Sequence, residues 1–124
     1  MKPSKTKIGK EGEQEARSYL EKRGYHIVCT NWHFHHYELD IIAEKEDELV
    51  VVEVKTRSED FLVSPEDAVD EPKIRRIVQA ADAYARLFNV ELPIRFDIIT
   101  LTKDAQGVCH VEEHIPDAFY APLK

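Results

Sequence analysis

Apolar and polar residues alternate along residues 37–56, "YELDIIAEKEDELVVVEVKT", and predict two short strands, at about 37–44 and 48–57, around an acidic turn. Residues 49–54 are apolar on both faces of the second strand, which is typical of a central strand that is covered on both sides. Glu53 interrupts this run, and Lys55 follows on the same face because side chains alternate across a strand. Charged groups in such a place need a partner or a function.

The rest of the chain carries helical and strand patterns in a simple order. Apolar residues at helical spacing predict helices over residues 8–24 and 72–88, with Pro72 in the first turn of the second helix. Residues 25–32, 93–102 and 107–114 are expected to be strands. This order predicts an α/β fold with a mixed five-stranded sheet flanked by helices. Residues 1–124 should form a single domain.

The length of the turn between the first two of these paired strands decides which side chains meet. If the turn has an even number of residues, Asp40 faces Glu53 and Glu38 faces Lys55. Directly opposed residues have Cβ atoms about 5 Å apart, so two carboxylates and an ammonium group would then share one face. An odd turn would send Asp40 and Glu53 to opposite faces of the sheet.

Three acids and one lysine then predict a metal site. Helical spacing puts Glu13 on or beside the core-facing side of the first helix, where it adds a third carboxylate to Asp40 and Glu53. Lys55 supplies one positive charge, and the remaining two negative charges match one divalent cation. Oxygen ligands suit Mg²⁺ or Mn²⁺ better than Zn²⁺. Such an ion polarises a phosphoryl oxygen and activates water, which is the chemistry of phosphodiester hydrolysis.

Composition limits the class of protein. Hydrophobic residues make up 43% of the chain and charged residues 33%, which excludes a disordered or fibrous protein. No apolar run approaches the roughly 18 residues of a membrane helix, and the N-terminus lacks an apolar signal segment. We therefore expect a cytoplasmic protein that does not enter the membrane. Cys29 and Cys109 lie far apart and are expected to be reduced thiols.

The net charge of −7 argues against a protein that coats nucleic acid through bulk positive potential. Local contacts with DNA remain open, because residues 1–10 carry four lysines and no acid, and a second basic cluster begins the second helix. A cluster of this second kind is usually only a solvated helix face. The side chains that we expect to contact DNA are Lys5, Lys7, Lys10, Lys73, Arg75 and Arg76.

The acids and the lysine also carry a resemblance to known nucleases. Asp40, Glu53 and Lys55 resemble the PD-(D/E)xK motif of restriction-endonuclease-like enzymes, in which these groups lie on adjacent strands of a mixed sheet. The segments "GKEGEQEARSYL", "NW", "YELDIIA", "VVVEVKTR" and "RFDIIT", together with Lys73, resemble in order the YraN-like family of small uncharacterised bacterial proteins over about residues 8–101. This resemblance implies a restriction-endonuclease-like fold and an endonuclease related to archaeal Holliday-junction resolvases.

The same resemblance implies roles for individual residues. Asp40 and Glu53 would be metal ligands, the carbonyl of Val54 a third ligand, and Lys55 the group that activates water. Glu13 would be the helix carboxylate that completes the site. Tyr37 stands where the family usually has glycine, and this bears on how closely a DNA backbone approaches that strand.

Three hypotheses for the function follow, from different classes. The first is a Mg²⁺-dependent endonuclease that cleaves DNA, including branched or flapped repair intermediates. The second is a nucleic-acid-binding module of a repair complex that no longer cleaves, and the third is a structural or regulatory protein whose acids only bind a cation. Symmetrical cutting of a four-way junction needs two active sites and would suit a homodimer, although no interface can be read from the sequence.

Several other polar residues have simpler interpretations. Glu38 is expected to be the ion-pair partner of Lys55 rather than a metal ligand. Asp97 is expected to be held by Arg95 or by a backbone donor, and Trp32 to belong to the core. The run "HFHH" is expected to be a solvated loop, because no third metal ligand accompanies its histidines, which are His33, His35 and His36.

Overall fold

The computed structural model describes the backbone of residues 3–58 and 70–120 and the side chains of residues 10–57 and 70–120. The predicted helices and strands all form, with small differences at their ends. Their order is α1 (Pro3–Lys22), β1 (His26–Phe34), β2 (Tyr37–Lys45), β3 (Glu48–Ser58), α2 (Glu71–Leu87), β4 (Ile94–Lys103) and β5 (Cys109–Phe119).

The five strands form one mixed sheet in the order β1-β2-β3-β4-β5. Neighbouring strands are antiparallel except β3 and β4, which run parallel. A parallel pair needs a long crossover connection, and α2 lies within this one. The α/β class and the mixed five-stranded sheet are therefore confirmed, and the architecture is consistent with a restriction-endonuclease-like fold.

Each face of the sheet carries its own hydrophobic cluster. On one face, Leu49 and Val51 of β3 pack with Ile77 of α2. On the other face, Val50 and Val52 pack with residues of α1. All four β3 side chains are at most 1% exposed, which confirms that β3 is a central strand covered on both sides.

Local sequence accounts for the ends of both helices. The Asp70 carboxylate accepts a hydrogen bond from the backbone N–H of Lys73 at 3.0 Å, and Pro72 lies in the first turn of α2. After α1, Gly24 has a φ of 88°, a left-handed conformation that glycine adopts without strain. Neither described helix is long and apolar enough to cross a lipid bilayer.

Two strands extend further than predicted. β1 continues through His33 and Phe34, so only His35 and His36 form the turn to β2, and the expectation of a loop over the whole run is wrong. The pairing of Phe34 with Tyr37 closes this short hairpin, and His35 has a φ of 55°. β5 runs on past Pro116 because it is an edge strand, where a missing N–H costs no ladder hydrogen bond.

Candidate functional site

The hairpin between β2 and β3 sets the register of the site. Lys45 pairs with Glu48, so the turn consists of Glu46 and Asp47, whose φ angles of 48° and 65° are typical of a type I′ turn. The turn is therefore even, and the regular pairing of the two strands continues to Ile41 and Val52. The next step along both strands brings Asp40 to the level of Glu53, as the even turn predicts.

The Asp40 carboxylate lies where the backbone pairing of β2 and β3 reaches its last registered pair. Its Oδ2 atom accepts a hydrogen bond from the backbone N–H of Val54 at 2.9 Å. In a regular ladder a backbone carbonyl of β2 would accept the hydrogen bond from this β3 N–H, but here the side chain of Asp40 accepts it. Asp40 therefore bridges the two strands beside Glu53.

The side chains of β2 also switch from one face of the sheet to the other at the level of Asp40. Leu39 and Ile42 both pack on the α2 side of the sheet, whereas Ile41 packs on the α1 side. Strict alternation would put Leu39 beside Ile41, so the side-chain pattern of β2 shifts at Asp40. On β1, Asn31 lies between the residues paired with Leu39 and Ile41 and has a φ of 55°. This local distortion lets groups from both sides of the sheet approach Asp40.

Glu53 is a buried carboxylate with one oxygen held and one oxygen without a donor. The residue is 2% exposed. Its Oε1 atom accepts a hydrogen bond from the Tyr37 hydroxyl at 2.8 Å. Its Oε2 atom is buried and has no hydrogen-bond partner among the described residues. Burial, followed by the negative charge of Asp40, raises the pKa of Glu53 to about 8.

Asp40 is perturbed in the same direction by the same cause. Burial raises its pKa to about 6, although the hydrogen bond from Val54 and the positive charge of Lys55 act against the shift. The effect of Asp40 on the pKa of Glu53 places the two carboxylates within electrostatic reach of each other. Because both carboxylates have raised pKa values, a positively charged group between them would stabilise their ionised forms.

Glu13 reaches the other side of Asp40 from α1. Its Oε1 atom accepts a hydrogen bond from the side-chain amide of Asn31 at 2.8 Å. Burial raises the pKa of Glu13 to about 7, and the charges of Asp40 and Glu38 add to the shift. The expected third carboxylate is therefore part of the acid cluster, which we define as Glu13, Asp40 and Glu53.

A close approach between α1 and β3 positions Glu13. A Cβ atom added at Gly12 would lie 2.1 Å from Oγ1 of Thr56, a distance that real Cβ atoms essentially never show. Only glycine therefore allows the helix to lie this close to the strand without a displacement. The neighbouring Glu13 is carried by this contact into the space beside Asp40.

Lys55 lies beside the acid cluster, next to a second lysine. Burial and the neighbouring Lys73 together lower the pKa of Lys55 to about 8, although the charges of Glu53 and Asp40 oppose the shift. The expected ion pair with Glu38 is not found among the described residues. Glu38 instead approaches His33, with 3.9 Å between its Oε2 atom and Nε2 of the histidine. β1, rather than β3, thus supplies the partner of Glu38.

The acid cluster fits a hydrated divalent cation better than a fully protein-bound one. Across residues 3–58 and 70–120, no three His, Cys, Asp or Glu side chains are arranged to hold a metal by themselves. Mg²⁺ commonly uses one or two carboxylates and keeps several water ligands. The partnerless Oε2 atom of Glu53 and the oxygen-only donor set meet that requirement. Asp40, Glu53 and the Val54 carbonyl are the candidate ligands.

The basic residues expected to contact DNA are distributed over both helices. Lys73 is half-buried and close enough to influence the pKa values of Asp40 and Glu53. Arg75 and Arg76 are exposed, and Arg75 forms an ion pair with Glu71 at 3.1 Å. Lys10 is exposed on α1. Lys5 and Lys7 belong to the first part of α1, but their side chains lie outside the described residues.

Asp97 belongs to a separate buried network on the α1 face. It is 0% exposed and receives two hydrogen bonds from Arg95, both at 2.9 Å. His114 contacts the Asp97 carboxylate at 2.8 Å, and the backbone N–H of Asp117 donates to it at 3.1 Å. The prediction that Arg95 or a backbone donor holds Asp97 is confirmed, because both do. Trp32 packs edge-on against Tyr84 at the periphery of the α2 cluster.

Sequence analysis missed Asn31 and Tyr37 as partners of the acids. Asn31 carried a usable signal, because asparagine tolerates the left-handed conformation it adopts here and often marks an irregular strand. Tyr37 carried no local signal, since its partner Glu53 lies sixteen positions away on another strand. Both contacts depend on the distortion of β1 and β2 around Asp40.

The fold and the site together define an α/β protein of restriction-endonuclease-like architecture with an acid cluster and a lysine at the junction of two strands. Residues 12–101 match the sequence profile of Uncharacterised protein family UPF0102. The chain belongs to this family, which is the YraN-like family that the sequence motifs indicated.

Similar proteins are found in several bacteria, and their names assign no reaction. A UPF0102 protein of Parabacteroides distasonis is 69% identical over 117 residues, which cover 94% of this chain and 95% of that protein. A UPF0102 protein of Bacteroides thetaiotaomicron is 54% identical over 94% of each chain. One from Flavobacterium psychrophilum is 46% identical and covers 91% of this chain and 93% of its own length.

Proposed function

We propose that the protein is a Mg²⁺- or Mn²⁺-dependent endonuclease that hydrolyses phosphodiester bonds of DNA. The observation that carries this proposal is the meeting of Asp40, Glu53 and Lys55 at the junction of β2 and β3. Asp40 and Glu53 hold raised pKa values there, and Oε2 of Glu53 is buried without a partner. A purely structural ion pair would instead satisfy both acids with direct contacts.

The metal ion would be held by Asp40, Glu53 and the Val54 carbonyl. When bound, it supplies positive charge that stabilises the charge developing on a phosphoryl oxygen. Ordered water fills the remaining positions around a Mg²⁺ ion, so the small number of protein ligands is compatible with this role. Glu13 adds negative charge from the α1 side and orients water beside Asp40.

Two lysines act on the substrate side of the acids. Lys55 is two residues along β3 from Glu53 and orients the attacking water, whose proton it can accept. Lys73 enters from the first turn of α2 and faces the same acids, where its charge can bind the phosphate to be cleaved. The site therefore offers separate groups for the water and for the phosphate.

The nucleic-acid contacts are proposed to extend from this site over the helix surfaces. Arg75 and Arg76 lie on α2 next to Lys73, and Lys10 lies on α1 before Glu13. Few phosphates can be contacted by so limited a basic surface, which favours a short binding site such as a branch point, flap or junction over coating of long duplexes. We place this activity in DNA repair in the cytoplasm, with a homodimer as the assembly that cuts a four-way junction symmetrically.

A cleavage assay on defined DNA substrates tests the proposal. Wild-type protein is incubated with nicked, flapped and four-way-junction DNA in Mg²⁺, in Mn²⁺ and in a chelator. We expect cleavage of at least one substrate that depends on the metal and is lost in Asp40→Asn. Asp82→Asn is the matched control, because Asp82 is exposed on α2 and pairs only with Arg86 in the described structure.

Two outcomes would contradict the proposal. Cleavage in the chelator, or equal cleavage by Asp40→Asn, would exclude a metal-dependent site at Asp40. Binding of branched DNA without cleavage of any substrate would favour the non-catalytic nucleic-acid-binding module instead.

A further inference from the structure

Tyr37 contacts the acid cluster through its hydroxyl group. It is the first residue of β2, and its hydroxyl donates to Oε1 of Glu53 at 2.8 Å. The ring is half-buried. An ordinary phenol is a neutral hydrogen-bond donor, so the contact holds Glu53 without adding a charge.

This donor holds one oxygen of Glu53 and leaves the other without a partner. Oε2 of Glu53 is buried, and no described group donates a hydrogen bond to it. Because the Glu53 side chain is buried, holding Oε1 also stops rotation of the carboxylate about the Cγ–Cδ bond, so the direction of its second oxygen is defined as well. The hydrogen bond from Tyr37 thus orients Oε2 of Glu53, which is a buried acceptor, and leaves that atom able to bind another group.

Asp97, the other buried acid among the described side chains, shows the contrast. Asp97 is held by the guanidinium of Arg95 in an ion pair at 2.9 Å, with His114 and a backbone N–H as further partners. Both of its oxygens are occupied, and a cation already compensates its charge. Glu53 is instead held by a phenol that brings no charge, which fixes its orientation and leaves its second oxygen available to a metal ion.

We propose that Tyr37 is a positioning residue that orients Glu53 for the divalent metal ion. The inference rests on the proposed function, because it assumes that Glu53 is a metal ligand. Tyr37 itself touches neither the ion nor the substrate in this role.

Metal affinity is the readout that separates positioning from a structural role. The Mn²⁺ affinity of metal-free protein is measured by titration calorimetry for wild type, Tyr37→Phe and Tyr25→Phe. Tyr25→Phe is the matched control, because it also removes the hydroxyl group of a half-buried tyrosine. That hydroxyl accepts a hydrogen bond from Arg95 at 2.7 Å and lies away from the acid cluster. An osmolyte is added to all three proteins so that each remains folded during the titration.

We expect Tyr37→Phe to weaken Mn²⁺ binding by about 10- to 100-fold, as is typical when a partner of a metal ligand is removed. Tyr25→Phe should bind Mn²⁺ like the wild type. Thermal melts without metal should show that Tyr37→Phe loses no more stability than Tyr25→Phe.

The remaining outcomes distinguish the two proposals. Wild-type Mn²⁺ affinity in Tyr37→Phe, whether or not its melting temperature falls, would overturn the positioning role and leave the endonuclease proposal standing. A wild-type protein that binds no Mn²⁺ would overturn the metal-dependent function and, with it, the role of Tyr37. Equal weakening in Tyr25→Phe would show that both variants act through general stability, and would also overturn the inference.

Discussion

The carboxylate of Asp40 accepts the backbone N–H of Val54 at 2.9 Å, across the junction of β2 and β3. This contact joins the two strands and positions Asp40 beside Glu53, the residue that precedes Val54. Asp40 therefore both links β2 to β3 and contributes a carboxylate to the candidate site. Disturbing the junction should therefore change chemistry and stability together.

Removing a carboxylate from the acid cluster should stabilise the metal-free protein at alkaline pH. Burial raises the pKa of Glu53 from 4.5 to about 8. Between these values the folded state binds a proton that the unfolded state has released, so stability falls as the pH rises through this window. Glu53→Gln removes that titration and should melt at a higher temperature than the wild type at about pH 8 in a chelator.

The control for this experiment is Glu91→Gln, because Glu91 is exposed. Its melting temperature should follow the wild type at each pH. Adding Mn²⁺ should raise the melting temperature of the wild type and have little effect on Glu53→Gln. A wild-type pH profile in Glu53→Gln would contradict the raised pKa.

Lys55→Met should separate catalysis from metal binding. Methionine fills a similar volume and removes the amino group, which orients the attacking water or, as the neutral amine, accepts its proton, so cleavage should fall by about 10²- to 10⁴-fold. Metal affinity and most DNA affinity should remain. If Lys55 were only a counter-charge for the acids, the variant would melt earlier yet cleave at the wild-type rate at a temperature where it is folded.

Gly12→Ala should destabilise the protein although alanine is the better helix former. The added Cβ would lie 2.1 Å from Oγ1 of Thr56, so α1 and β3 must move apart. Overpacking of this kind typically costs about 1–3 kcal/mol, which exceeds the roughly 1 kcal/mol that alanine gains over glycine within a helix. Displacement of α1 should also reduce cleavage, because Glu13 moves with it.

The double variant tests the cause of this loss. Thr56→Ala removes Oγ1, and the next nearest atom, the Thr56 Cβ, lies at 3.4 Å from the added carbon. Gly12→Ala combined with Thr56→Ala should therefore recover stability in chemical denaturation, relative to Gly12→Ala alone. Strict additivity of the two single changes would show that the contact with Thr56 is not the source of the strain.

Asp97→Asn should destabilise the protein at neutral pH. Burial alone would raise the pKa of Asp97, but the hydrogen bonds from His114, Arg95 and Asp117 lower it below its usual value of 3.8. Replacing the acid leaves Arg95 without its buried counter-charge, which typically costs about 3–5 kcal/mol. Urea denaturation at about pH 7 would measure this loss.

The sign of the pH dependence follows from the lowered pKa. The stability that Asp97 contributes is present above its unfolded pKa of about 3.8 and is lost as the pH falls through the folded value. The difference between the wild type and Asp97→Asn should therefore shrink below about pH 4. Asp82→Asn, which removes an exposed partner of Arg86, should cost less than about 1 kcal/mol at any pH. A constant difference between wild type and Asp97→Asn would contradict the network.

Local sequence patterns were sufficient to predict the helices, the strands and the central position of β3. The alternation on either side indicated a turn near Glu46 and Asp47 without fixing its length, and the two-residue turn of the structure brings Asp40 to the level of Glu53. The apolar run of β3 predicted a central strand, because only a strand covered on both faces tolerates apolar side chains on both. These features depend on neighbours in sequence, so periodicity and turn chemistry determine them.

Tertiary structure decided how the acids are held. The hydrogen bond from Tyr37 to Glu53, the amide of Asn31 on Glu13 and the pairing of Glu38 with His33 all join different secondary-structure elements. The Tyr37 contact follows from the shift of the side-chain pattern of β2 at Asp40, whereas Glu38 lies directly opposite His33 in the β1–β2 register. The sequence by itself therefore determined the elements and their order, and it showed that a turn of even length would bring the two strand acids to the same level. Only packing between elements decided which oxygens are satisfied and which one remains available, because hydrogen-bond satisfaction depends on groups that lie far apart along the chain.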